Sequence, residues 1–97
     1  MPLAIPDNLA VFTTIYVCFG KLPILKVRHQ SDEEGGSTWE FHANNGPYLL
    51  SDVLVVAMKE ILDIDPSIAT ILDLPIDNDA VRSEVGGVWH IRPIEKA

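Results

Sequence analysis

The clearest structural signal in this 97-residue chain is the segment LDIDPSIATILDLPIDNDAVR, residues 62–82. The carboxylate of Asp65 can cap a helix whose first position is Pro66, where the missing N–H of proline costs nothing. Three apolar residues then fall at the spacing of one buried helix face: Ile68, Ile71 and Leu72. Pro75 cannot continue a helix. The segment therefore predicts a short amphipathic helix that begins at Pro66 and ends before Pro75.

The sequence on either side of this segment favours β-strands. Runs rich in β-branched, aromatic and alternating apolar residues predict strands at 10–14, 22–29, 38–42, 80–83 and 88–91. Trp39 and Phe41 alternate with polar residues, so we expect both to face the core. Residues 15–19 either continue the first strand or turn away from it. The last two strands form a hairpin across residues 84–87, and the second and third form a hairpin with a long acidic loop.

The apolar run 53–57 allows two interpretations. It fits a central strand covered on both faces, followed by a helical turn at residues 59–62. It also fits a helix capped by Ser51, which would place four residues on one stripe: Leu54, Met58, Ile61 and Leu62. We favour the strand. The predicted fold is therefore α+β, a mainly antiparallel, curved sheet of about five strands with one or two short helices packed on one face.

Length and composition predict one domain, residues 1–97, with a loosely ordered N-terminal arm at residues 1–8. No apolar run approaches the roughly 20 residues of a membrane helix, and the N-terminus has no basic region typical of a secretory signal. Cys18 is the only cysteine, so no internal disulfide can form. We expect a cytoplasmic protein that does not bind membranes.

The net charge of −7 is concentrated in residues 52–84, where eight acidic residues face only Lys59 and Arg82. This excess repels phosphate backbones, so we expect no nucleic-acid binding. It would attract a basic protein partner. The residues expected to bind that partner are Asp63, Asp73, Asp77, Asp79 and Glu84. The competing explanation is that these charges only keep a small protein soluble.

The candidates for chemistry are weak. Three histidines lie on predicted strands and are a conceivable metal site: His29, His42 and His90. Their spacing matches no ligand motif, so structural or surface roles are the better interpretation. Cys18 lies in an apolar setting typical of an unreactive thiol. Trp39 and Trp89 are interpreted as core anchors. We therefore expect no catalytic residue, no metal and no cofactor, and we keep a histidine-based sensor or enzyme of small molecules or metals as the alternative.

Several motifs together resemble a small bacterial family of unknown function that is grouped with the immunity-protein-33-like domains. They are VFTT at residues 11–14, PILKVRH at 23–29, WEF at 39–41, ILDIDPSI at 61–68, the Leu74–Pro75 pair, Ala80, Arg82 and Trp89. The family has a glycine two residues after the proline of Leu-Pro, where this chain has Asp77. The resemblance implies no catalytic residues. It implies a role at toxin–immunity loci, so the expected function is protein binding without catalysis, with a basic protein or toxin as the expected partner.

Overall fold

The computed structural model describes residues 5–94. Six strands form one open sheet: β1 (Ala10–Thr14), β2 (Lys26–Ser31), β3 (Ser37–His42), β4 (Val53–Ala57), β5 (Asn78–Val81) and β6 (His90–Pro93). The strand order is β4-β1-β3-β2-β5-β6; β1 and β3 are parallel, and the other neighbours are antiparallel. The α+β prediction is confirmed, with six strands instead of about five.

The helical elements are short, and all but the first 3₁₀ helix add buried apolar residues to the core on one face of the sheet. They are α1 (Ile15–Cys18), α2 (Met58–Ile64) and two 3₁₀ helices, Leu50–Asp52 and Pro66–Ile71. From the sheet, Val27 lies in register with Phe41 on β3 and Ala80 on β5, and all three are fully buried. Trp39 is also buried, so the predicted orientation of Trp39 and Phe41 is confirmed. We call the opposite side of the sheet the open face.

The helix predicted at Pro66 is present as a 3₁₀ helix. Oδ1 of Asp65 accepts a hydrogen bond from the Ser67 N–H at 3.0 Å, which confirms the cap. Ile68 and Ile71 are buried, as the spacing predicted. The helix ends at Ile71, four residues before Pro75.

Asp77 adopts the left-handed backbone conformation, with φ of 66°. This region favours glycine, although aspartate tolerates it better than most residues. Its carboxylate compensates by accepting hydrogen bonds from Ser31, from N–H at 3.0 Å and from Oγ–H at 2.9 Å. Asp77 therefore fixes the turn between the 3₁₀ helix Pro66–Ile71 and β5.

The second predicted strand begins four residues too early. Residues 22–25 are not strand, and β2 begins at Lys26. Alternation along a strand at 22–29 would place Ile24 on the largely polar face of Lys26 and Arg28, but Ile24 is buried. Its carbonyl accepts two hydrogen bonds from the Arg82 side chain, whereas the next residue, Leu25, already bonds through its backbone to His42 and Arg82.

The strand at 53–57 followed by a helical turn is confirmed, but its predicted central position is wrong. β4 lies at the edge of the sheet, and Val55 is 64% exposed. After β1 the chain turns away into α1. The last hairpin is confirmed as β5 and β6, with both strands shifted by about two residues.

The N-terminal arm falls partly outside the described residues, which begin at Ile5. Ile5 packs against the core, and the Asp7 carbonyl accepts a hydrogen bond from the Lys59 N–H at 2.9 Å. Residues 5–8 are therefore attached to the start of α2. Between Ile5 and Ile94, no helix is long and apolar enough to cross a membrane.

Candidate functional site

A buried ion pair joins the two ends of the 62–82 segment. Arg82 Nη2 lies 2.6 Å from Oδ2 of Asp65, with side-chain exposures of 1% and 9%. The same guanidinium donates from Nε and Nη2 to the Ile24 carbonyl, at 3.1 and 3.0 Å. Because burial strips water from both charges, these contacts must supply the stabilisation that water would give. The Asp65–Arg82 pair therefore holds the loop before β2 against the 3₁₀ helix Pro66–Ile71.

Further side chains complete this network around Arg82. Nη1 donates to Ser67 Oγ at 2.9 Å, and Ser67 Oγ donates to Asp65 Oδ1 at 2.6 Å. The Trp89 ring stacks 4.3 Å from the guanidinium carbon, a cation–π contact, and its indole N–H donates to Thr70 Oγ1 at 3.3 Å. Trp89 is partly buried and lies outside the strands, so its predicted place on an alternating strand is wrong. It covers the ion pair.

Beside this network lies a cavity of about 510 Å³ that we call the apolar cavity. Its apolar lining comes from three segments of the chain: Val17, Leu22, Ile24, Ile64, Pro66 and Val85. Val17 and Ile24 are buried, whereas Leu22, Ile64 and Val85 are 38%, 46% and 53% exposed. The cavity thus has a buried apolar base, and its mouth exposes apolar side chains to solvent.

Cys18 and Lys21 also line the apolar cavity. Burial raises the pKa of the Cys18 thiol, and Glu60 raises it further, against a smaller lowering by Lys21. A thiol with a raised pKa is mostly protonated at neutral pH and is a poor nucleophile. The structure therefore agrees with the interpretation of Cys18 as unreactive.

Two of the five predicted partner-binding residues are engaged within the fold. Asp79 is 4% exposed and forms a bidentate pair with Arg28, from Nε to Oδ1 at 2.7 Å and from Nη2 to Oδ2 at 3.0 Å. Hydrogen bonding to Asp79 raises the pKa of Arg28. Asp77 holds Ser31 as described above. Neither carboxylate is presented to a partner in the way that the charge count suggested.

The other three predicted residues, Asp63, Asp73 and Glu84, are exposed. Asp63 directly precedes Ile64, and Glu84 directly precedes Val85, so both flank residues at the mouth of the apolar cavity. Asp73 neighbours no residue of that lining. None of these three residues lines the apolar cavity itself, but Asp63 and Glu84 are next to lining residues in the chain.

The three histidines do not converge. His29 lies on the core side of β2, stacked on Trp39 with ring centres 3.9 Å apart. Its Nδ1 lies 2.7 Å from the Leu74 carbonyl, which can only accept, so Nδ1 carries a proton; Nε2 lies 2.7 Å from Ser37 Oγ. His42 lies on the open face, and His90 is on the edge strand β6. Within the part of the chain that is described, no three His, Cys, Asp or Glu side chains are grouped for a metal.

Sequence reasoning missed the apolar cavity because its lining comes from segments far apart in the chain. Leu22, Ile64 and Val85 belong to no common periodic pattern, so no local signal unites them. The partner of Asp65 was also missed, although Arg82 is one of only two bases in the acidic segment. A buried ion pair spanning 17 residues cannot be found from the spacing of charges alone.

The arrangement suits binding. Among the described lining residues of the apolar cavity there is no histidine, and the one carboxylate, Asp65, is held by Arg82. The lining therefore offers an apolar surface and a few polar groups with fixed partners. Comparisons with protein-family models, with curated proteins and with solved structures found no match for this chain.

Proposed function

We propose that this chain is a non-enzymatic protein-binding module that docks its partner at the apolar cavity. The observation that carries the proposal is the cavity mouth, where Leu22, Ile64 and Val85 are between 38% and 53% exposed around a buried base. Exposed apolar side chains grouped at a concave site with polar neighbours are typical of protein–protein contact surfaces. A partner would bury this surface with an apolar side chain of its own.

The network beneath the cavity favours tight binding. Asp65 and Arg82 hold the 3₁₀ helix against the Ile24 loop, so two walls of the cavity are fixed before a partner arrives. A site that is already ordered loses less conformational entropy on binding. The cavity therefore supports recognition without a large rearrangement.

Charge defines the proposed partner as a basic protein. Asp63 and Glu84 are exposed beside the cavity, and the chain has a net charge of −7. This field would steer a basic surface toward the cavity and speed encounter. Together with the resemblance to immunity-protein-33-like domains, it makes a toxin that carries an apolar anchor among basic residues the proposed partner. The three histidines do not converge on one site, so a histidine-based sensor is not the function that we propose.

The proposal is tested by affinity capture from native lysate of the source organism. The bait is wild type, an Asp63→Lys/Glu84→Lys double variant, or an Asp73→Lys control, which also reverses an exposed acidic residue but lies away from the cavity. We expect a discrete basic partner with wild type and the control, and at least a tenfold loss with the double variant. The on-rate of the purified complex should fall as salt rises.

Circular dichroism and thermal melts establish that the three baits are folded. A partner captured equally by all three baits, with an on-rate that does not depend on salt, would remove Asp63 and Glu84 from the mechanism. Failure of folded wild type to retain any discrete protein would contradict the proposed function itself.

A further inference from the structure

The open face of the sheet carries a row of alternating charges. In the strand register, Arg28 lies between Glu40 on β3 and Asp79 on β5, and Asp79 lies opposite Arg92 on β6. Lys26 lies two residues before Arg28, on the same face of β2. Three of the seven lysines and arginines of this acidic chain are therefore concentrated on the open face.

These three cations line one cavity of about 580 Å³ that we call the basic cavity, together with Asp79, Pro93 and Ile94. Asp79 is the one carboxylate in the described lining, and its charge is matched by Arg28. Within residues 5–94, neither Lys26 nor Arg92 forms an ion pair. The lining therefore carries an excess of positive charge in a chain whose net charge is −7.

We infer that the basic cavity binds a small oxyanion, the phosphate or carboxylate group of a small molecule, between Lys26 and Arg92. Arg28 is held in place by its bidentate pair with Asp79, and its Nη1 donates to no acceptor within the described chain. Those N–H groups are oriented before the anion arrives, whereas Lys26 and Arg92 supply the charge that Asp79 does not neutralise.

A second, smaller cavity of about 350 Å³ shares Lys26 and Arg28 with the basic cavity. Its lining also includes the Glu40 carboxylate and the His42 ring. Burial, and then the charges of Lys26 and Arg28, lower the pKa of His42 to about 4, so its ring is neutral at pH 7. Nδ1 of His42 accepts the Asn44 N–H at 3.3 Å, which leaves the ring proton on Nε2 as a donor.

The charge of the whole molecule limits the size of the ligand. A net charge of −7 repels an extended polyanion such as a nucleic acid. A small anion responds mainly to charges within about one Debye length, roughly 8 Å at physiological salt. The local excess of positive charge can therefore act on a single phosphate or dicarboxylate. The basic and apolar cavities share no lining residue, so this inference does not depend on the proposed protein partner.

The test is a titration of ¹⁵N-labelled protein, followed by amide chemical shifts, with inorganic phosphate, with succinate and with sodium chloride at matched ionic strength. We expect saturable shifts with phosphate, with succinate or with both, confined to residues 26–28, 78–81 and 91–93. Lys26→Gln and Arg92→Gln should each weaken binding, raising the dissociation constant at least threefold. Lys59→Gln removes an exposed lysine outside the basic cavity and should leave it unchanged.

Each outcome decides the inference. Saturation by phosphate alone or by succinate alone would support the site and identify its anion, and saturation by both would support a general oxyanion site. Amide shifts that rise linearly with anion concentration, are spread over the surface and are equal in sodium chloride would overturn the inference. Saturable shifts that survive both Lys26→Gln and Arg92→Gln would also overturn it. Both variants should melt at the wild-type temperature, since neither side chain is ion-paired within residues 5–94.

Discussion

Asp65 makes two interactions that separate variants can distinguish. It caps the 3₁₀ helix through Oδ1 and neutralises the buried Arg82 through Oδ2. The sequence predicted the cap alone, which is worth about 1 kcal/mol. Because removing one partner leaves an uncompensated buried charge, we expect Asp65→Ala to lower the free energy of unfolding by about 3–5 kcal/mol. Urea unfolding followed by tryptophan fluorescence measures this loss.

Two further variants control that prediction. Asp65→Asn keeps a capping oxygen but leaves the buried Arg82 charge uncompensated, so it should cost about 1 kcal/mol less than Asp65→Ala, roughly 2–4 kcal/mol. Asp63→Ala removes an exposed carboxylate and should be nearly neutral. If Asp65→Asn were as harmless as Asp63→Ala, the ion pair with Arg82 would not contribute to stability.

The lowered pKa of His42 makes the free energy of unfolding depend on pH. Its pKa falls from 6.5 to about 4 on folding, because of burial and then of Lys26 and Arg28. Between these values the unfolded chain binds a proton at this ring and the folded chain does not, so stability is lost as the pH falls from about 6.5 to about 4. The full shift corresponds to about 3 kcal/mol, and solvent screening of this partly exposed ring reduces the expected loss to roughly 1–2 kcal/mol.

The measurement is the free energy of unfolding of wild type and of His42→Asn across this pH range. Asparagine keeps an acceptor for the Asn44 N–H and removes the titrating ring. Other titrating groups contribute to both proteins, so the difference between the two curves isolates His42. Parallel curves would show that His42 does not titrate differently in the two states.

At the level of elements, the two edges of the sheet differ. The β6 edge carries Arg92 and Pro93, which discourage pairing with another strand. The β4 edge contains only apolar residues, with Val55 64% exposed beside Phe12. An uncharged apolar edge is a template for intermolecular pairing. We expect Val55→Lys to reduce aggregation on heating and to change the free energy of unfolding by less than about 0.5 kcal/mol.

Val56→Lys is the matched control for that prediction. It places the same charge one residue later, on the side of β4 that packs against the core, and should destabilise the fold. Light scattering during a thermal ramp compares the variants. Scattering by Val55→Lys equal to that of wild type would mean that aggregation does not begin at this edge.

Periodicity and capping chemistry predicted most elements and failed where tertiary contacts decide. The 3₁₀ helix at Pro66 and the inward face of β3 follow from local pattern, and the structure has both. β2 begins later than predicted, and the Ile24 carbonyl just before it binds the side chain of Arg82, a residue 58 positions away. The edge position of β4 was also missed, because an all-apolar run reads the same in a central strand and in an exposed edge. The candidate site was predictable only in part, since Asp63 and Glu84 can be read as exposed acidic residues but the apolar cavity cannot.

At the scale of the whole molecule, the acidic residues between 52 and 84 fall into two groups. Several of its carboxylates stabilise the fold: Asp52 and Glu60 accept backbone N–H groups, Asp65 and Asp79 pair with arginines, and Asp77 holds Ser31. Asp63, Asp73 and Glu84 remain exposed. Charge counted along the sequence therefore overstates what a partner can reach. Among the exposed acidic residues, Asp63 and Glu84 are next to residues of the apolar cavity lining in the chain, and the proposed docking site rests on these two.

The most direct test of docking at the apolar cavity is amide hydrogen exchange of the chain, alone and in complex with its captured partner. Burial of the cavity predicts slower exchange in segments 17–24, 62–67 and 83–86, because these carry its lining. Exchange in β4, at the far edge of the sheet, and in β2 and β6, which carry the basic cavity, should be unchanged. Protection confined to β4 or to the open face, with segments 17–24 and 62–67 unaltered, would contradict the proposed docking site.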